Sequence, residues 1–268
     1  IPECIAKDLD WVSAGAAGSE ELVVIGEHAA GFASLHQFIA ANGAATVEYF
    51  LPGPSNNQTF GYTLENFDPG PNGYYKVLTT NGGDIMYCHT FLNTGVYQYT
   101  IANRVVGSNQ VSPFSIERHT QGMMVVSGTV NGPNGQDMFL AYLNDHGEMQ
   151  WNRHSPLGTG SSYEYGIGNF SNNNLFAVGY FDLGNGNRQA MGTLYDNTGN
   201  VLQHLHYYPY LTGNADQYFS GLFEDPSTGE MIATGTANDF SASIRTQAQR
   251  FTLSSSGNTT CQDPVGIP

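Results

Sequence analysis

The sequence is short of charge, and of positive charge above all. Only 12 % of its 268 residues are Asp, Glu, Lys or Arg, about half the usual share. Its 8 basic residues face 23 acidic ones, for a formal charge of −15. A surface of that sign has nothing with which to neutralise a row of phosphates, which excludes nucleic acid as a partner. It is equally unsuited to the anionic face of a membrane. Long apolar runs are missing too, against the roughly 20 residues a spanning helix needs. The longest candidate, Glu21–Ala33, is cut by Gly26, Glu27 and His28, so no membrane insertion is expected. The only lysines are Lys7 and Lys76, and neither follows a phosphate-cradling glycine loop. No His-Glu-x-x-His zinc motif, Gly-x-Ser-x-Gly elbow or EF-hand acid ladder occurs. No cofactor is expected.

What is present is a repeat. Short apolar runs recur at Leu22–Gly26, Tyr75–Thr79, Met124–Gly128, Phe176–Gly179 and Met231–Gly235. Each is followed by a second strand-like run that stops at a turn glycine: Gly43, Gly95, Gly147, Gly199 and Gly257. The spacings are 52, 52, 52 and 58 residues, and an apolar or aromatic residue stands four positions before each glycine. The turns read Ala-Asn-Gly, Asn-Thr-Gly, Asp-His-Gly, Asn-Thr-Gly and Ser-Ser-Gly, which is hairpin chemistry. A third strand follows, alternating with period two in Glu148–His154 and Asn200–His206. A fourth segment closes each cycle at Phe60–Phe67, Pro113–Arg118, Tyr163–Phe170 and Gln217–Phe223. Ala33–Leu51 has good helix formers, but Asn42-Gly43 in its middle argues against a helix.

Four strands in about 50 residues, five times over, predict an all-β, single-domain five-bladed β-propeller. The units run at about 21–73, 74–122, 123–174, 175–229 and 230–268, the last completed by residues 1–20. On this reading Asn258–Asp263 and Cys4–Val12 form adjacent strands of one closing blade shared by the two termini. Cys4 and Cys261 then come within bridging reach, and Cys88 stays a small core residue; three unpaired thiols are the alternative. A disulfide belongs outside a reducing cytosol. A start at Ile1-Pro2, with no initiator Met, suits a removed leader or a trimmed fragment.

The stretch from Asp137 to Trp151, an Asp-led strand, a turn glycine and a strand carrying Trp, resembles the propeller repeats of secreted bacterial cell-surface proteins, including type IX-secreted ones. The Asp recurs at Asp84 and the Trp only as Trp151. That resemblance implies an extracellular or cell-surface location more than a chemistry.

Chemistry-bearing residues are sparse. Asp182–Asn187 offers oxygens that could line a loop calcium, but as an Asn-Gly turn between strands it needs no metal. His204 and His206 share one strand face, half a metal site at best. Most acids fall in expected turns, among them Asp8 and Asp10, where they are solvated; Glu48, Glu117 and Glu164 lie in or beside strands and are the acids to test for glycoside hydrolysis. The 16 tyrosines are the most suggestive residue type. Tyr97, Tyr99, Trp151, Tyr207, Tyr208 and Tyr210 are the expected binding residues for sugars or protein partners. The leading expectation is a non-enzymatic structural or adhesive module that contacts protein partners or copies of itself, able to build a filament or surface layer. A carbohydrate-binding propeller and a glycoside hydrolase are the alternatives.

Overall fold

A computed structural model describes residues 4–13, 20–28, 31–51, 60–67, 73–119, 123–132, 135–155, 161–170, 172–182, 188–206, 215–225, 227–239, 245–253 and 259–264. Among these residues there is no helix, and twenty strands form five four-stranded antiparallel sheets. The first sheet contains β1 (Cys4–Ser13), β2 (Glu20–His28), β3 (Phe32–Ile39) and β4 (Ala45–Leu51). The second contains β5 (Phe60–Asn66), β6 (Tyr74–Thr80), β7 (Ile85–Leu92) and β8 (Tyr97–Arg104). The third holds β9 (Val111–Arg118), β10 (Met124–Gly132), β11 (Gly135–Leu143) and β12 (Met149–Ser155). The fourth holds β13 (Ser162–Asn169), β14 (Leu175–Asp182), β15 (Arg188–Tyr195) and β16 (Val201–His206). The fifth ends the chain with β17 (Ala215–Asp225), β18 (Glu230–Asp239), β19 (Arg245–Leu253) and β20 (Thr259–Pro264).

The hairpin glycines do what the spacing predicts. Gly43, Gly95, Gly147 and Gly199 have φ of 67°, 80°, 94° and 79°, a region that costs other residues about 1–2 kcal/mol. Gly257 lies outside the described residues. Three of these turns also dock on the preceding sheet. A Cβ on Gly95 would stand 2.3 Å from Val47 Cγ2, one on Gly147 2.7 Å from Cys88 Sγ, and one on Gly199 2.4 Å from Trp151 Cη2. The 52-residue period is therefore a packing period as well as a folding one.

Two expectations are corrected. The fourth segment of each cycle does not close its own sheet: it is the first strand of the next one, as β5 pairs with β6 and β9 with β10. No blade is shared by the termini, because β1 pairs with β2 in the first sheet and β20 with β19 in the fifth. Cys4 and Cys261 stand in different sheets, and the side chains that a bridge would join lie outside the described ones. Cys88 is fully buried and unpaired.

The first strands pack side by side in sequence, β1 on β5, β5 on β9, β9 on β13 and β13 on β17. Four apolar clusters fill the junctions behind them. Val23, Ile25 and Leu35 meet Leu64, Val77 and Phe91 between the first two sheets. Leu78, Met86 and Cys88 meet Val126, Phe139 and Leu143 at the next. Val125 and Leu140 meet Ile167 and Tyr195, and Phe176 and Val178 meet Phe219 and Met231. Among the described residues no such cluster joins the fifth sheet to the first. Leu9 accordingly is 56 % exposed, whereas its counterparts Leu64, Ile116 and Ile167 are 3 % exposed. The arrangement is propeller-like, with the five first strands innermost.

Candidate functional site

Each inner strand carries a β-bulge at a corresponding place. The register against the second strand slips at Lys7, Tyr62, Phe114, Tyr165 and Ser220. A bulge leaves one residue unpaired and re-aims it. Lys7, Tyr62, Phe114 and Tyr165, together with Tyr218, line a cavity of about 670 Å³ to which all five inner strands contribute. Tyr62 and Phe114 meet edge to face at 5.8 Å between centroids, and Phe114 and Tyr165 are 5.1 Å apart. Tyr180 of β14, a buried residue, stands 5.7 Å from Tyr165 and 6.3 Å from Tyr218 and bridges these two rings.

Three residues beyond the bulge, about 10 Å along the strand, stand Asp10, Glu65 and Glu117 in the first three sheets. All three line the same cavity, with Asp8 beside them. The fourth and fifth sheets break the series. Gly168 takes the place in β13, where a Cβ would come within 2.9 Å of Met231 Sδ and 3.1 Å of Leu222 Cδ2. Phe223 takes it in β17, with Glu224 the next residue.

The aspartates and glutamates are not equivalent. Asp8 Oδ2 accepts from Thr63 Oγ1 (2.8 Å) and Leu64 N (3.0 Å), and Asp10 Oδ2 accepts from Asn66 N (2.8 Å). Their Oδ1 atoms accept from Leu9 N (2.9 Å) and Trp11 N (2.7 Å). These carboxylates therefore tie β1 to the open edge of β5. Glu65 and Glu117 are half-buried and take no hydrogen bond or ion pair among the described residues. Burial pushes the Glu65 carboxyl up to about 9, helped by the charges of Glu117, Asp10 and Asp8 and opposed by Arg118. Burial, with Asp10 and Glu224, pushes Glu117 up to about 7. Near neutral pH the cavity thus holds one protonated carboxyl and one poised between its two states, a combination suited to proton transfer.

Of the three acids singled out for testing, Glu48, Glu117 and Glu164, Glu117 alone has a described side chain in this cavity. Glu48 is on the outer strand β4, half exposed and 3.9 Å from His36. Glu164 is on the inner strand β13, its side chain outside the described ones. Asp8 and Asp10, counted among the turn acids although they fall within the expected Cys4–Val12 strand, are strand residues. Glu65 was overlooked, although Leu9-Asp10, Leu64-Glu65 and Ile116-Glu117 repeat an apolar–acid pair at spacings of 55 and 52.

The expected aromatic residues lie elsewhere. Tyr97 and Tyr99 are on β8; the Tyr99 hydroxyl accepts from Lys76 Nζ at 3.3 Å, and the ammonium sits 5.2 and 5.1 Å from the Tyr74 and Tyr99 ring centroids. Trp151 stacks on Tyr142 (5.2 Å, 2°) under the Gly199 turn. Tyr207, Tyr208 and Tyr210 lie outside the described residues, as does most of Asp182–Asn187. His204 Nδ1 is 3.1 Å from Thr193 Oγ1, and the His206 side chain is outside the described ones.

No family model and no curated protein matches the chain. Among solved structures it is similar to a polysaccharide lyase, an ulvan lyase bound to a repeat of glucuronate and sulfated rhamnose, with a TM-score of 0.59, 10 % identity and coverage of 93 % of this chain and 70 % of that one. It is similar to an α-L-arabinofuranosidase from Fusarium graminearum in complex with an iminosugar inhibitor, with a TM-score of 0.58, 8 % identity and coverage of 96 % and 91 %. It is also similar to the Dos1 propeller, with a TM-score of 0.53, 11 % identity and coverage of 91 % and 64 %. At these identities what is shared is the fold. The resemblance to repeats of bacterial surface proteins holds as far as that propeller-like fold. The leading functional expectation is overturned: a fold read as structural or adhesive is shared with a polysaccharide lyase and an arabinofuranosidase, and its innermost strands carry perturbed acids rather than solvated ones.

Proposed function

We propose that the protein cleaves glycosidic bonds, and that its five sheets close into one five-bladed ring around the cavity. Glu65 is the proton donor and Glu117 the partner carboxylate. The observation that carries this reading is the placement of Glu65 and Glu117 at the same position of adjacent inner strands, in one cavity, with their acidities pushed to different degrees. The participation of all five inner strands in that cavity supports closure of the ring. The carbohydrate enzymes among proteins of similar fold lend the reading support by analogy.

In the reaction, the proton on Glu65 passes to the glycosidic oxygen as the bond from that oxygen to the anomeric carbon breaks. Water supplies the replacing hydroxyl, and Glu117, ionised, takes the proton that water gives up. Asp8 and Asp10, fixed by backbone donors, hold β1 against β5 and add the charge that keeps Glu65 protonated. Such an activity fits the extracellular location that the sequence resemblance implies.

The test is a screen of neutral polysaccharides and oligosaccharides for release of reducing ends by the wild type, Glu65→Gln and Glu117→Gln. Each variant is expected to lose about 10²–10⁴-fold in kcat/KM. The wild-type profile should be bell-shaped, with limbs near the pH values of about 7 and about 9 at which Glu117 and Glu65 titrate. Undiminished turnover in both variants sinks the assignment.

A further inference from the structure

The bulges do more than shape the strands: at Tyr62, Phe114 and Tyr165 they bring aromatic rings from three successive sheets to one wall of the cavity. Tyr62, Phe114, Tyr165 and Tyr218 are half-buried, neither sunk in the core nor splayed into solvent. Tyr62 is braced by its hydroxyl, 3.2 Å from Ser112 Oγ. Phe114 touches both neighbours in tilted or edge-to-face contacts between 5.1 and 5.8 Å. Tyr62, Phe114 and Tyr165, in such direct contact, form a continuous wall, and Tyr218 lines the same cavity. A cage for a small cation needs rings set apart around a void the size of its headgroup, and a cavity of about 670 Å³ is in the range of whole ligands.

Charge narrows the ligand further. Asp8, Asp10, Glu65 and Glu117 line the cavity, and Lys7 is the one basic residue among the described lining residues. Lys7 Nζ lies 3.5 Å from Glu27 Oε1, so its charge is already balanced. A carboxylate or sulfate brought into this space would meet uncompensated negative charge at low local dielectric.

We infer that Tyr62, Phe114, Tyr165 and Tyr218 form the subsite on which the sugar rings of an uncharged oligosaccharide stack. This rests on the reading of the cavity as a glycan-cleaving site and names its substrate class: neutral chains, with uronate-rich or sulfated ones rejected. The apolar C–H face of a pyranose or furanose lies on the aromatic wall, and its hydroxyls are left to Thr63, Ser115 and the carboxyls.

The experiment is calorimetric titration of the wild type, Phe114→Leu, Tyr165→Leu, Tyr165→Phe and Glu65→Gln with xylo-, cello-, manno- and arabino-hexasaccharides, with hexagalacturonate, and with tetramethylammonium. The leucine variants keep apolar bulk in the wall, and their folding is checked by circular dichroism. At least one neutral hexasaccharide should bind, tenfold or more weakly to either leucine variant and undiminished to Tyr165→Phe, while hexagalacturonate gives no heat. Unchanged binding by both leucine variants overturns the subsite. So does hexagalacturonate bound as tightly as a neutral chain, binding of tetramethylammonium alone, or no binding of any neutral hexasaccharide. Turnover separates the two claims. Loss of binding in the leucine variants with full turnover in Glu65→Gln keeps the subsite and removes the acid assignment; the opposite pattern removes the subsite alone.

Discussion

Between pH 7 and pH 9 the protein should lose stability steadily, and Glu65→Gln should abolish most of that loss. The sign follows from which state holds the proton. In the unfolded chain Glu65 titrates at its ordinary value near 4.5, whereas in the folded protein burial and its acidic neighbours hold the proton to about 9. Across that interval unfolding releases a proton, so raising the pH favours the unfolded chain, by at most about 1.4 kcal/mol per pH unit. The stability this group contributes is complete below 4.5 and is spent by about 9. Glu117, pushed up to about 7, acts in the same direction but has finished by neutrality.

The histidines work the other way at lower pH. Burial pushes His89 down to about 4, and His119 and His154 also downward. Their contributions are present above 6.5 and are lost as the pH falls. Below pH 7 the carboxyls and histidines oppose one another, and the curve is shallow. From 7 to 9 Glu65 stands almost alone, since the buried Cys88 thiol, pushed up to about 11, acts only at higher pH. The expected fall in Tm over those two units is on the order of 5–10 °C for a chain of this size. Glutamine resembles the protonated carboxyl in shape and cannot release the proton, so its curve should run nearly level and cross above the wild type by pH 9. Equal slopes for the two proteins would show that Glu65 is ionised well below 9.

The repeat was legible because one hairpin of each sheet needs a residue that tolerates positive φ, and Gly43, Gly95, Gly147 and Gly199 announce it at a fixed spacing. The assignment of strands to sheets was not. Asn66–Gly73 reads as a polar turn whether it ends one sheet or joins two strands of the same one, and the hydrogen bonds that decide the matter, from β5 to β6, leave no mark of their own. Moving the boundary by one strand completes every sheet and dissolves the shared closing blade. The site was hidden for a related reason. Asp10, Glu65 and Glu117 become a set only once Leu9, Leu64 and Ile116 are known to hold the same register, and that register depends on bulges invisible in composition. The number of tyrosines and the Trp-bearing strand point to Tyr97 and Trp151, which lie outside the cavity. Three of the rings that line the cavity, Tyr62, Phe114 and Tyr165, are selected by a backbone irregularity.

That irregularity makes Gly128→Ala a strongly damaging small substitution. Gly128 opposes Pro113, next to the Phe114 bulge, and a Cβ there would stand 2.1 Å from Ser112 O and 2.8 Å from Pro113 Cα. Both are backbone atoms, so no side chain can swing away. Gly235 is in the same position against Tyr218 O, at 2.1 Å, and Gly26 against Ile5 O, at 2.6 Å. The second sheet shows the rule by exchange. Thr79 fills the corresponding place, fully buried with its Oγ1 2.8 Å from His89 Nε2, and the residue opposite it on β5 is Gly61. One strand or the other must lack a side chain where the bulge presses the backbones together. Overpacking at such a point costs about 3 kcal/mol, equivalent to roughly 6–12 °C in Tm. Gly43→Ala is the control, since at φ 67° it meets nothing within 4 Å and should cost only about 1–2 kcal/mol. Thermal unfolding of the two variants settles the comparison: a Gly128→Ala protein no less stable than Gly43→Ala would mean the bulge relaxes freely. If it does not relax, Phe114 must shift with it, and neutral oligosaccharide binding should weaken in Gly128→Ala while Gly43→Ala binds as the wild type does.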